Sequence, residues 1–336
     1  MAIAVSVVCP FYNEAEGIVD AALGMIDSLV EQFDDWELIL VNDGSTDDSL
    51  QILTNALNKE THECVRVISH PRNQGRGRAL KSGIDVAGGG IIVTTEADAS
   101  WGTDIVRRLV DELEAKPEID FVIASPHLPG GGLKNVPFWR SFLTRIGNRL
   151  ISLFFERGIT MNTGMTRAYR RKVIQPLVTS ENGKEFHLEV LLKLSALGFK
   201  AGEIPATITW PEKRVRKKST RKSSINITKT IGTHLRFLAI AQPMRYFAYV
   251  AILSLIMGIG FMVAAIVMLL LGKVSVFFGL LSLMMYLFCL LCIGFSVVFV
   301  LLREILRETW MHDYPGQRPP SALPSTLAYP ADVDIE

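Results

Sequence analysis

The chain is poor in the groups that staple, target or steer a protein. Its 336 residues include four cysteines, Cys9, Cys64, Cys289 and Cys292, and their spacing forms neither a disulfide framework nor a zinc-binding pattern. Cys289 and Cys292 fall inside an apolar run, where they read as packing residues. The six histidines form no arrangement suited to nucleophilic catalysis. No leader is expected, because the apolar run Ala4 to Val8 is short and leads into Pro10 and a polar turn, and the N-terminus is expected to stay in the cytoplasm. A net charge of +1 excludes a general attraction to nucleic acid. What the chain has in quantity is apolar residues, 49% of the total. The excess is concentrated between Tyr246 and Leu302, and the first two thirds read as an ordinary α/β domain.

The apolar run Ile91-Ile92-Val93-Thr94-Thr95-Glu96-Ala97-Asp98 follows three glycines and reads as a buried strand, which would point Glu96 and Asp98 to the same side. From pattern alone these acids have two readings. They cap the next helix, or they hold a hard cation such as Mg²⁺ or Mn²⁺ together with substrate phosphates. Upstream, Ile3 to Cys9 predicts a first strand stopped by Pro10, and Asn13 with Glu16 predicts a capping box for a helix through about Phe33. Glu37 to Val41 predicts a second strand. It runs into Asn42-Asp43-Gly44-Ser45-Thr46-Asp47-Asp48, a turn in which Ser45 and Asp48 are expected to cap the next helix. Val65 to Ser69 predicts a third strand, followed by Asn73-Gln74-Gly75-Arg76-Gly77-Arg78-Ala79-Leu80. This alternation implies a mostly parallel sheet covered by helices, with ligands bound beyond the carboxyl ends of the strands. The glycines cannot belong to a dinucleotide fingerprint, because that motif occupies the first βα turn and these follow the third strand.

Four motifs in order, Pro10-Phe11-Tyr12-Asn13-Glu14, Val41 to Asp47, Asn73-x-Gly75-x-Gly77-x-Ala79-Leu80 and the acidic pair, resemble the family 2 glycosyltransferases with a GT-A fold. Within them the likeness is greatest to polyprenyl-phosphate sugar transferases of the dolichyl-phosphate mannose synthase type, over roughly residues 3 to 230. The resemblance implies a nucleotide-diphosphate sugar as donor and a polyprenyl phosphate as acceptor, with inversion at the sugar. It implies nucleotide-sugar contacts from Pro10, Tyr12, Glu14, Asp43, Gly75, Arg76 and Ala97, and metal ligation by Asp98 and Glu96. It further implies catalytic roles for Asp98, Glu96, Arg140 and Glu189 and acceptor-phosphate contacts from Arg140 and Arg167; Arg214 and Lys218 of the basic loop are candidates for the same phosphate by their charge. Arg76 has a plainer reading as a solvated loop arginine. Departures from the family pattern include Glu at position 96, where aspartate is usual, and Pro126 where an arginine is common.

The apolar residues Trp139, Phe142, Leu143, Ile146, Leu150, Leu153 and Phe154 keep helical spacing with a basic flank. This predicts either a helix lying in a membrane interface, over about 136–156, or one packed on the sheet. Seven basic residues between Lys213 and Lys222 form a loop suited to anionic lipid head groups. Tyr246 to Leu271 and Val276 to Leu302 are each long enough to span a bilayer, and the four residues between them force an antiparallel hairpin. Arg236, Arg245, Arg303 and Arg307 outside the hairpin, against Lys273 in its turn, place both termini in the cytoplasm of a multi-pass inner-membrane protein. The expected layout is thus a catalytic domain over 1–223, a juxtamembrane helix over 224–245, two spans over 246–302 and a largely disordered tail over 303–336. Oligomerisation through the hairpins is compatible with this layout. The segment Gln242-Pro243-Met244-Arg245-Tyr246 approximates a motif of processive polysaccharide synthases, a rival reading, and a non-catalytic membrane-anchored scaffold is another. Arg245 and Tyr246 are sufficiently explained as interfacial anchors.

Overall fold

The computed structural model describes residues 4–57, 64–97, 100–135, 159–209 and 243–316. Its contacts divide the chain into two units: among the described residues, one holds the sheet and residues 310–316, the other residues 243–309.

The first unit is organised by two strands with no exposed residue, β1 (Val5–Phe11) and β2 (Trp36–Asn42). Their near-continuous apolar sequence suits parallel strands covered on both faces. They pair in parallel from Val5 opposite Trp36 to Phe11 opposite Asn42. β3 (Val65–Ser69) adds to the outer side of β2, and β4 (Ile91–Thr94) adds to the other side of β1. The full order is β3-β2-β1-β4-β7-β5-β8. It is completed by β5 (Phe121–Ser125), β7 (Arg167–Arg170) and β8 (Ala201–Pro205). β7 runs antiparallel to both of its neighbours, and the remaining pairs in the sheet are parallel. A small second sheet pairs β6 (Gly132–Lys134) with β9 (Thr207–Thr209). The mostly parallel, helix-covered sheet expected from the sequence is therefore present. Its chain reverses direction of growth between β1 and β4, the point where α/β sheets open a ligand crevice.

Helices α1 (Ile18–Gln32), α2 (Ser49–Leu57), α3 (Arg76–Val86), α4 (Ile105–Ala115), α5 (Arg171–Ile174) and α6 (Phe186–Ala196) cover the sheet. Ile18, Ala22, Ile26 and Leu29 of α1 pack with Leu38 and Leu40, and with Leu109 and Leu113 of α4, in one core. Several boundaries differ from expectation. β1 continues through Pro10, because β4 has its last partner at Val8 and the missing N–H costs no bond on that side. α1 starts at Ile18 without a side-chain cap, since Asn13 turns left-handed, with φ 54°, and bonds to the next loop instead. Strand β4 ends at Thr94. The alternation that would set Glu96 and Asp98 side by side in a strand therefore does not operate, and Glu96 lies in the following loop.

The second unit contains α7 (Pro243–Leu270) and α8 (Val276–Asp313) as far as Thr309. Both are long and apolar enough to cross a membrane, and their apolar side chains are largely exposed. Small residues let them approach: Ser254 Oγ donates to the Met285 carbonyl at 2.7 Å and Ser282 Oγ to the Gly258 carbonyl at 2.9 Å. A Cβ on Gly258 would lie 3.0 Å from the Tyr286 ring. Such small-residue seams and short hydrogen bonds hold helices together where no water drives association. Cys289 and Cys292 pack there against Ala251 as free thiols. The tail, expected to be disordered from 303, stays helical to Asp313. Arg303, Glu304, Arg307 and Glu308 are all good helix formers, and Arg307 pairs with Glu304 at 3.4 Å.

Beside β7 lies His187 of α6. It is fully buried, and neither ring nitrogen has a hydrogen-bond partner among the described residues. Burial holds its imidazole well below the ordinary value of 6.5, reinforced by the Arg167 and Arg76 guanidiniums. Below that value the unfolded chain takes up a proton here and the folded chain does not, so stability falls as pH falls. Thermal unfolding midpoints should therefore drop between about pH 7 and about pH 5, and His187→Leu should flatten that slope. Equal slopes in the two proteins would refute the assignment.

Candidate functional site

Two loops at the carboxyl end of the sheet are laced together by the first two motifs. The Asn13 amide donates to Ser45 Oγ at 3.0 Å, and Thr46 returns its own amide to Asn13 Oδ1 at 2.8 Å. Glu14 donates its amide to Ser49 Oγ at 2.8 Å. Asp47 accepts the Ala15 amide at 3.3 Å and caps α2 through the Ser49 amide at 3.1 Å. The expected helix caps, Asn13 with Glu16 and Ser45 with Asp48, are therefore replaced by contacts between loops. Short polar side chains can serve either purpose, and only the parallel pairing of β1 with β2 decides which. Tyr12 and Glu14 lie in this loop, half-buried, and Pro10 is buried at the strand end.

Asp43, next along, is 3% exposed. Its Oδ1 accepts the Gln74 amide at 2.9 Å and faces His70 Nδ1 at 3.1 Å; its Oδ2 accepts the Gly75 amide at 2.9 Å. The carboxylate thus organises the glycine loop, which satisfies most of its hydrogen-bonding capacity. His70, missed in the sequence, is fixed in turn by Ser82 Oγ at 3.0 Å. Its one sequence signal is its position directly after β3. Gly75 needs its lack of a side chain twice over: its φ is 102°, and a Cβ would stand 2.3 Å from the Asn182 carbonyl oxygen. That same carbonyl accepts the Gly77 and Arg78 amides at 2.8 and 3.3 Å, so the first turn of α3 is clamped from the far side by residues 180–183. Sequence reading did not find this strap, because nothing in its composition marks it.

Arg76, carried between the clamped glycines, reaches Glu96 at 3.8 Å, each side chain about one third exposed. Its Nε is buried with no partner among the described residues. Desolvation draws the guanidinium pKa down, and the Glu96 and Glu185 carboxylates draw it back up. Such an incompletely satisfied arginine is built to accept an anionic oxygen. Ala97 follows Glu96 and packs against the core. Asp98, Arg140, Arg214 and Lys218 lie outside the described residues.

Two expected site residues take other roles. The guanidinium of Arg167 is fully buried and donates to the carbonyls of Gly164, Asn162 and His187 at 2.8, 2.7 and 3.1 Å. It ties β7 to its surroundings through these three carbonyls. Glu189, expected to be catalytic, accepts the Ser180 and Glu181 amides at 2.9 and 2.8 Å, the Ser180 hydroxyl at 2.8 Å and the Lys193 ammonium at 2.8 Å. Burial opposes its ionisation, but these donors outweigh it and hold the carboxyl below its ordinary value. The carboxylate thus braces the 180–181 loop against Lys193.

Residues 6–178 match the family model of glycosyl transferase family 2. The chain belongs to that family. Among its relatives, the polyprenol monophosphomannose synthase of Mycolicibacterium smegmatis is 29% identical over 219 residues, 63% of this chain and 80% of that one. The undecaprenyl-phosphate 4-deoxy-4-formamido-L-arabinose transferase of Proteus mirabilis is 29% identical over 186 residues, 54% of this chain and 53% of the relative. The match thus spans about half the length of that transferase. In fold the glycosyltransferase is similar to glucosyl-3-phosphoglycerate synthase of Mycobacterium tuberculosis. The UDP complex of that enzyme superposes with a TM-score of 0.53 at 19% identity, over 70% of this chain and 80% of that one. Its complex with Mn²⁺, UDP-glucose and phosphoglyceric acid gives a TM-score of 0.52 at 18% identity. The likeness is one of fold, and it is the GT-A arrangement expected from the motifs.

Replacing Asp43 tests the clamp within this glycosyltransferase. Asp43→Asn puts an amide donor where two backbone donors already point. It should destabilise the domain by about 1.5–3 kcal/mol in denaturant unfolding, the range for hydrogen bonds to a charged partner. Unchanged stability would show that the glycine loop stands without it.

Proposed function

We propose that the protein transfers one sugar from a nucleotide diphosphate, UDP or GDP, to a polyprenyl phosphate at the cytoplasmic face of a membrane. The observation that carries this reading is Arg76, held between clamped glycines at the sheet's switch point, facing Glu96 with a buried nitrogen unpartnered. Diphosphate chemistry needs a fixed positive group at that place, because negative charge grows on the departing oxygen. The two apolar helices and the polyprenyl-linked names of the relatives support a lipid acceptor.

A divalent cation, Mg²⁺ or Mn²⁺, would be held by the hard carboxylate oxygens of Glu96 and of Asp98 two residues on, the ligand type such ions take together with substrate phosphates. When bound, such a cation neutralises charge on the diphosphate. The remaining work belongs to the chain. Arg76 binds the diphosphate, its Glu96 contact exchanged for phosphate oxygens. Asp43, through the Gln74 and Gly75 amides, holds the loop that carries it, with Pro10, Tyr12 and Glu14 bordering the nucleoside.

An oxygen of the lipid phosphate attacks the anomeric carbon as the bond to the donor's diphosphate breaks, inverting that carbon and releasing the nucleoside diphosphate. Because a phosphomonoester is largely dianionic at neutral pH, its oxygen is a nucleophile without a protein base. Glu189, saturated with donors, therefore need not serve as one. The basic residues between Lys213 and Lys222, together with Arg140, supply charge to the acceptor phosphate.

Purified protein incubated with Mn²⁺ or Mg²⁺, polyprenyl phosphate and a panel of UDP- and GDP-sugars should yield one lipid-linked sugar by mass spectrometry. Asp98→Ala should abolish the product, and Arg76→Ala should lower kcat/KM by about 10²-fold, the scale for one lost charge-stabilising donor. A polymer, no product with any donor, or undiminished turnover in Asp98→Ala would overturn the reading.

A further inference from the structure

The helix α8 does not stop where its apolar run ends, and its last residues belong by contact to the unit that holds the sheet. Tyr314, just past the helix, is 4% exposed. Its hydroxyl donates to the Lys172 and Val173 carbonyls at 2.9 and 3.0 Å, and its ring meets Phe199 edge-on at 5.6 Å. Trp310, one turn earlier, lies under the Lys193 ammonium at 5.6 Å, a cation–π geometry. Lys193 is largely buried, donates to the Val178 carbonyl at 2.9 Å and pairs with Glu189 at 2.8 Å.

From Glu189 the contacts run without a gap to the glycine loop. Glu189 holds the Ser180 and Glu181 amides. The next residue, Asn182, gives its carbonyl to the Gly77 and Arg78 amides and fills the space beside Gly75. Arg76 sits between those two glycines. These interactions serve no step of the chemistry above, and a tail needed only as a tether would not require a buried tyrosine and an aromatic seat for a buried lysine.

We propose that Trp310 and Tyr314 form a docking foot that positions the Gly75–Gly77 loop for the nucleotide diphosphate, acting through Lys193, Glu189 and the 180–182 strap. The inference rests on the nucleotide-sugar reading for the identity of the ligand, but not for the mechanical link. Trp310 and Tyr314 are positioning residues. They touch no substrate, and their effect is on how well the loop is held before the donor arrives.

The test uses the full chain in lipid nanodiscs, with amide hydrogen exchange as the first readout. Trp310→Ala should speed exchange at 74–78 and 180–182 by roughly three- to thirtyfold, the span of a desolvated cation–π contact, while β1 and β2 exchange as before. Lys193→Met should act alike, Tyr314→Phe should give a smaller effect of the same pattern, and Trp310→Phe should restore most of the protection. The second readout is the binding of UDP and GDP with Mn²⁺, together with donor KM. Trp310→Ala should weaken the nucleotide by a similar factor and leave the acceptor KM unchanged. The inference is overturned if exchange rises at 310–316 but not at 74–78, or if β1 and β2 loosen equally, which would make the foot a general stabiliser. If the unaltered protein binds neither nucleotide, the nucleotide-sugar reading fails, and the exchange pattern still decides the foot.

Discussion

Everything at the carboxyl end of this sheet depends on one constraint, the fixing of a glycine loop from two sides. The Asp43 carboxylate takes the Gln74 and Gly75 amides from below, and the Asn182 carbonyl takes the Gly77 and Arg78 amides from the far side. Backbone amides left pointing into a crevice would be costly if buried and disordered if exposed. Pairing them with fixed acceptors gives Arg76 a rigid platform. An arginine so carried can meet an anionic oxygen without first losing much conformational freedom, which makes the arrangement useful for charge that appears only during a reaction.

The same economy explains why several conspicuous charges are not where the chemistry happens. Arg167 directs each of its three guanidinium nitrogens to a main-chain carbonyl, and Glu189 spends its carboxylate on a loop and a lysine. A buried charge persists only when its hydrogen-bonding capacity is met. Side chains so largely engaged by the protein itself have less left for a substrate. Arg76 is the contrast, since its Nε is buried and unpartnered and its nearest acid is at 3.8 Å. The difference between strut and site residue lies in this residual capacity, and residue type does not reveal it.

The apolar hairpin obeys a separate rule. Its seam is made of Ala251, Ser254, Gly258, Ser282, Cys289 and Cys292, with Phe247 against Phe295 and Phe299, while most leucines and isoleucines are exposed. That inversion of a soluble core is what a lipid surround requires. Where the apolar run ends the helix does not, and residues 310–316 belong by contact to the unit that holds the sheet.

By itself the sequence determined the parallel α/β sheet, the order of its motifs, the family and the two apolar helices, because strand and helix periodicity and turn chemistry are local. It also marked Asp43, Gly75, Arg76 and Glu96 by their positions at successive strand ends. The tertiary structure alone decided that Asn13 and Asp47 lace loops together, that β4 ends before Glu96, that His70 and the 180–182 strap complete the clamp, and which groups of the protein engage Arg167 and Glu189. Each of these depends on which distant group satisfies a polar atom. A pairing across 32 residues, such as Asp43 to Gly75, or across nine, such as Ser180 to Glu189, leaves no trace in local pattern.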